Sequence, residues 1–85
     1  MYFTYILKSI PTGKFYIGST SNLEKRLERH NKGGSLWTKR YKPWIIVFSQ
    51  KFNTRSEAII REKEIKNYKG GNEFKELINL AEIPK

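Results

Sequence analysis

Cysteine and aspartate are both missing from this chain, and histidine occurs once. Without cysteine there are no disulfides, no thiolate zinc sites and no cysteine nucleophiles, a composition compatible with a reducing compartment. The lack of aspartate leaves 8 glutamates as the acidic side chains, set against 17 lysines and arginines. Long apolar runs are missing too. The longest is Trp44 to Phe48, far short of the ~20 residues needed to cross a bilayer. The amino-terminal stretch lacks a charged region followed by an unbroken apolar one. A soluble, unexported, cytoplasmic protein is therefore expected. No repeat, linker or low-complexity segment interrupts the 85 residues, a length that suits one small domain, residues 1–85, with a single modest core.

What is present in excess is positive charge. The formal net charge is +9, and such a surface attracts polyanions. Nucleic acid is the leading partner. An anionic membrane fits less well, because the basic residues are spread over all elements and form no juxtamembrane block. Lys14, Arg29, Lys39, Arg40 and Lys66 are the candidate nucleic-acid contacts.

Two β-type runs, Tyr2 to Leu7 and Lys14 to Gly18, flank the turn signal Pro11-Thr12-Gly13 and predict a hairpin. A register pairing Tyr5 with Tyr16, and Lys8 with Gly13, leaves a loop from Ser9 to Thr12 and sends both tyrosines to one face. Tyrosine also suits strands for purely structural reasons. Ser21 with Glu24 has the form of a capping box, opening a helix that ends near Asn31, before Lys32-Gly33-Gly34. On its inward arc lie Leu23, Arg26, Leu27 and His30. The arginine and histidine there serve either packing or chemistry.

Ser35 to Pro43 interleaves aromatics with bases and predicts a loop or short irregular helix. It would either stack on bases or act as a flap, with Leu36 and Trp37 over the core. Trp44 to Phe48 predicts a strand buried on both faces. A second capping box, Thr54 with Glu57, opens a helix to about Tyr68, ahead of Gly70-Gly71. Glu62 falls inside that helix's apolar arc, close to the Ala58 and Ile65 directions. An inward carboxylate is costly unless paired, hydrogen-bonded or bound to a metal. Pairing with Arg26 is the structural option. Asn72 to Leu80 predicts a last helix with Phe74, Leu77, Ile78 and Leu80 as its apolar set, followed by the tail Ile83-Pro84-Lys85.

Two tyrosines, an arginine, a histidine and an inward glutamate on elements that must pack together form a set able to cleave phosphodiesters. Tyr5, then Tyr16-Ile17-Gly18, then Arg26 and His30 on one helix and Glu62 on the next, resembles the GIY-YIG nuclease superfamily. The likeness is to its small stand-alone bacterial members, related to the catalytic domain of the excision-repair nuclease. Thr20 to Leu27 and Thr54 to Ala58 also look like family segments, and the likeness covers about residues 2–69. The first triplet departs from the pattern: it is Phe3-Thr4-Tyr5, so only its tyrosine matches.

The resemblance implies an α+β fold, a three-stranded antiparallel sheet flanked by helices in the order β-β-α-β-α-α. It also implies a metal-dependent endonuclease acting on DNA, branched or damaged DNA included, with a place in repair or recombination. Tyr5, Tyr16, Arg26, His30 and Glu62 would be catalytic, and Gly18 a structural turn. Glu62 would hold one Mg²⁺ or Mn²⁺, Arg26 would stabilise transition-state charge, and His30 would share a proton or orient the phosphate. Either tyrosine could activate water, provided that its phenolate is stabilised. The lack of aspartate speaks against nucleases that cluster aspartates around two metals. A non-catalytic nucleic-acid-binding module on the same fold accounts for the charge equally well. A docking domain for an acidic protein accounts for the charge but not for Glu62.

Overall fold

Aromatic and β-branched residues dominate Tyr2–Ser9, which forms β1, and Phe15–Thr20, which forms β2. In the computed structural model, which describes residues 1–32, 39–69 and 71–82, these are followed by α1 (Leu23–Asn31), β3 (Trp44–Phe52), α2 (Arg55–Asn67) and α3 (Asn72–Glu82). The strands make one antiparallel sheet in the order β2-β1-β3. The α+β architecture is the expected one.

The hairpin forms with a different offset. Tyr5 pairs with Gly18, Leu7 with Tyr16 and Lys8 with Phe15, two residues from the expected register. Side chains alternate with period two, so a slip of two keeps both tyrosines on one face. The loop shifts accordingly to residues 10–13, closed by Ser9 N–H to Lys14 C=O at 2.8 Å and Gly13 N–H to Ser9 C=O at 2.8 Å. Gly13 sits at φ 74°, where a glycine is favoured. Buried Ser9 ties the loop down: its hydroxyl donates to Tyr41 C=O at 2.6 Å and accepts from the Thr12 hydroxyl at 2.9 Å.

β1, the central strand, separates two apolar clusters. Ile6 joins Val47, Ile65, Phe74 and Ile78 on the α2–α3 side, whereas Tyr5 and Leu7 join Trp44, Leu23 and Leu27 on the α1 side. Ile6 and Ile65 are fully buried, each contributing about 1.5–3 kcal/mol by removal from water. On the α2 side the Thr4 hydroxyl donates to Ala58 C=O at 2.7 Å.

β3 differs from its expectation. It runs on to Phe52 and lies at the sheet edge, with Ile45 43% exposed rather than buried. Its apolar run has another cause. Ile6 pairs with Phe48 but Leu7 with Ile46, so Val47 is the extra residue of a bulge. The bulge lets consecutive Val47 and Phe48 both face the α2–α3 cluster.

The cap of α1 is Asn22 instead of Ser21: its side-chain oxygen accepts from Lys25 N–H at 3.0 Å. The Thr54–Glu57 box of α2 forms as expected. After the C-cap Tyr68, it is Lys69, at φ 51°, that adopts the left-handed turn conformation. Phe74 and Ile78 of α3 are buried, as its pattern predicts. The expectations for Gly33-Gly34, for Leu36 and Trp37, for Gly70 and for Ile83-Pro84-Lys85 lie outside the described residues, as does that for the Leu80 side chain.

Candidate active site

Tyr5 stands at the middle of the central strand and is 1% exposed. Its ring lies over Gly18, the residue opposite it. A Cβ at position 18 would come within 2.6 Å of the Tyr5 hydroxyl oxygen, 2.8 Å of its Cζ and 3.3 Å of Tyr16 Cε1. Gly18 is therefore not a turn residue. It sits within β2 as a space in which two tyrosine rings approach the backbone.

Around Tyr5 the rings form one cluster. Tyr16 lies nearly parallel to it, with centroids 6.4 Å apart and planes 21° apart, while His30 packs at 4.6 Å from the Tyr16 centroid. The Tyr5 hydroxyl meets His30 Nε2 at 3.4 Å, a long hydrogen bond whose direction the imidazole tautomer sets. Trp44 closes the far side of Tyr16 edge-on, at 6.3 Å and 70°. Tyr16 itself is only half-buried.

Burial sets the electrostatics. It pushes the Tyr5 hydroxyl up to about 12, against the pull of the Arg26 guanidinium and with smaller upward pushes from Tyr16 and Glu62. His30 is held below the usual imidazole range, first by burial and then by Arg26 and Arg29. Both groups are thus neutral near pH 7. Arg26, on α1, makes no ion pair among the described residues, although its charge acts on Tyr5 and His30 alike.

Glu62 comes from α2, and its charge is felt by Tyr5. The structural option of an Arg26 pair is not realised: Glu62 pairs with Lys66 Nζ at 2.6 Å, its side chain 18% exposed. Among the described residues no three His or Glu side chains gather to hold a metal. The donor set still suits Mg²⁺ or Mn²⁺, hard cations that keep several waters and need only one or two protein carboxylates. Lys66, more exposed than Glu62, already puts a positive charge where such an ion would bind.

The structure thus gathers Tyr5, Tyr16, His30 and Arg26, with Glu62 near enough to act on Tyr5. The expected basic contacts are dispersed. Lys14 lies beside the hairpin loop, 5.2 Å above the Tyr41 ring. Arg29 is in the last turn of α1, Lys39 and Arg40 are exposed ahead of β3, and Lys66 is engaged by Glu62. Sequence patterning missed Asn31. Its side chain accepts from Trp44 N–H at 2.6 Å and donates to Trp44 C=O at 3.2 Å, clamping the end of α1 to the start of β3 next to His30. Only its place one residue beyond an inward histidine hinted at this.

Comparison with known proteins bears on this geometry. The family model of the GIY-YIG catalytic domain matches residues 1–75. The UPF0213 proteins of Staphylococcus aureus strains Mu50 and N315 are each 40% identical over 68 residues, which is 79% of this chain and 82% of theirs. A UPF0213 protein from Bacillus halodurans, solved by solution NMR, superposes with a TM-score of 0.57 at 28% identity, covering 94% of this chain and 85% of that one. Among the described residues no helix is long and apolar enough to cross a membrane.

Proposed function

Because the chain belongs to the GIY-YIG catalytic-domain family, a family of endonucleases that generally act on DNA with a divalent metal, we propose that it hydrolyses phosphodiester bonds in DNA, branched or damaged DNA included. The observation that carries this reading is Arg26, a guanidinium without a carboxylate partner among the described residues, set beside two tyrosines and a neutral histidine. With no carboxylate beside it among the described residues, the guanidinium keeps paired N–H donors that match the oxygens of a phosphate.

The roles follow from burial and charge. Tyr16, half-buried at the rim of the cluster, is the tyrosine a water can reach. As the phenolate, its own proton having passed to solvent, it takes the proton from that water, whose oxygen bonds to phosphorus as the P–O bond to the leaving strand breaks. Tyr5, enclosed and raised to about 12, stays protonated near pH 7 and is not available as the base. It positions Tyr16 and, through the 3.4 Å contact, links the cluster to His30. His30, neutral because burial and two arginines depress it, can accept a hydrogen bond from the Tyr5 hydroxyl and fix its direction. Arg26 binds the non-bridging phosphate oxygens and gains strength as charge accumulates on them. Glu62 would hold one Mg²⁺ or Mn²⁺, released from Lys66. When bound, that ion would supply electrophilic stabilisation of the phosphate.

The test is nicking of labelled duplex, flap, junction and single-stranded DNA with and without Mg²⁺ or Mn²⁺. Tyr16→Phe should lower the rate about 10² to 10⁴-fold, the usual worth of a positioned base, and Tyr5→Phe should lower it less. Glu62→Gln should abolish metal-dependent nicking while leaving stability within about 1 kcal/mol, as the lysine end of its ion pair is exposed. Full activity in Glu62→Gln, or in the double change of Tyr5 and Tyr16 to Phe, would sink the mechanism. The 2.6 Å Lys66–Glu62 pair favours a second reading, a binding module with its metal ligand already neutralised. Salt-dependent DNA binding with no nicking on any substrate would select it.

A further inference from the structure

Beyond the ring cluster, Arg26 also forms part of a cavity of about 310 Å³. The antiparallel pairing of β1 and β2 brings Tyr2 and Thr20 to the sheet end away from the hairpin loop, where α1 and α2 both begin. Ser19, Ser21 and Arg55 complete the polar wall, and no carboxylate lines it. Arg55, like Arg26, makes no ion pair among the described residues. The Thr20 hydroxyl is used locally, donating to Asn22 C=O at 3.3 Å, but the hydroxyls of Ser19 and Ser21 have no protein partner among the described residues.

Two arginines lining one cavity with no carboxylate among its described residues give it a positive field that favours an anion. A planar guanidinium binds phosphate through paired N–H donors, and serine hydroxyls donate to the remaining oxygens. We propose that Arg55, with Ser19 and Ser21, forms a second phosphate site beside Arg26, taking a phosphate group of the nucleic acid other than the one cleaved. The site deepens the nuclease reading, on which it rests for the role of Arg26, by defining how a strand is held in register. The phosphate has two possible sources: an internal backbone diester, or the terminal monoester at an end or nick.

Binding is measured by fluorescence anisotropy in EDTA, so that it does not depend on cleavage, with wild type, Arg55→Gln and, as a control, Lys75→Gln on the exposed side of α3. Arg55→Gln should weaken binding about tenfold and reduce the slope of log K against log salt by about 0.9, the value of one phosphate contact on duplex DNA. The control should weaken it less than twofold. One arm places a methylphosphonate at successive backbone positions; the other compares 5′-phosphate with 5′-hydroxyl ends. If the phosphate is internal, one methylphosphonate position should weaken wild type and leave Arg55→Gln unaffected. For a terminal phosphate, the advantage of the phosphorylated end should vanish in Arg55→Gln. In the nicking assay Arg55→Gln should raise KM with kcat within about twofold.

Unchanged affinity and salt slope in Arg55→Gln overturn the site, as does additivity in both arms or wild type that binds no DNA. The two proposals fail separately. Coupling to Arg55 without any nicking would retain the phosphate site and discard the nuclease reading. Nicking that Glu62→Gln abolishes, with no coupling to Arg55, would do the reverse.

Discussion

Replacing Gly18 by alanine tests the centre of the site with one methyl group. The added Cβ would lie 2.6 Å from the Tyr5 hydroxyl oxygen and 2.8 Å from Cζ, well inside van der Waals contact. A flexible surface side chain would swing away at little cost. Tyr5 has no such freedom: it is 1% exposed, on the central strand, with Tyr16 and His30 against it. Relief requires an off-rotamer ring or a shift of β2, and overpacking of this kind costs about 1–3 kcal/mol. In a chain of this size that lowers Tm by roughly 5–20 °C. The 3.4 Å contact with His30 should lengthen as well, so nicking falls by more than stability alone explains. Urea unfolding of wild type, Gly18→Ala, Tyr5→Phe and the double variant closes a cycle. Tyr5→Phe removes the oxygen of the shortest contact and leaves Cζ, so it should recover part of the loss, with a coupling of at least about 0.5 kcal/mol. A fully stable Gly18→Ala, or strict additivity, would refute the claim that position 18 is glycine because of the Tyr5 ring.

Two further outcomes follow from local geometry. Asn31→Ala removes both hydrogen bonds to the Trp44 backbone and should cost about 1–3 kcal/mol in urea unfolding, because it leaves part-buried polar groups unpaired; a loss below about 0.3 kcal/mol would show that the clamp is idle. For His30, whose folded pKa lies below its unfolded value near 6.5, the unfolded state takes up the proton first, so stability should hold above that pH and fall as the pH drops below it. The urea midpoint of wild type should decline more than that of His30→Asn between about pH 7 and 5, and parallel profiles would contradict the burial of a neutral imidazole.

What could be read in the sequence depended on the range of the interaction. The Thr54–Glu57 box was legible because its hydrogen bonds are local and reciprocal. At α1 two neighbouring residues competed for the same role, and Asn22 caps through its own side chain without using Glu24. Strand alternation revealed which face each tyrosine occupies, but a two-residue slip leaves faces unchanged, so the register could not be read. Gly18 looked like a turn because glycine suits turns; its cause is a ring from another strand, invisible without the pairing. The apolar run that looked buried on both faces lies on an edge strand, and its bulge at Val47 lets it serve two clusters. Tyr5, Tyr16, Arg26 and His30 could be grouped from the sequence because their helix and hairpin follow one another. The cavity shared by Arg26 and Arg55, and the Asn31–Trp44 clamp, depend on distant segments meeting.

The division made by β1 bears on how the molecule can be altered. Ile6 faces α2 and α3 while its neighbours Tyr5 and Leu7 face α1, so the strand is a partition between a load-carrying core and the ring cluster, with Glu62 and Arg55 reaching the site from α2's own surface rather than from that core. Ile65, Phe74 and Ile78 can be exchanged for other apolar residues of similar volume, at a modest cost or gain in stability, because they lie in a different cluster from the Tyr5 and Tyr16 rings. The converse does not hold. Truncating a ring also strips cover from Leu7 and Trp44, so a variant that removes a whole tyrosine side chain sacrifices part of its own support. Thermostable versions of this scaffold should therefore be sought behind the partition, on the Ile65 side, where added stability would leave the contact between Tyr5 and His30 as it is.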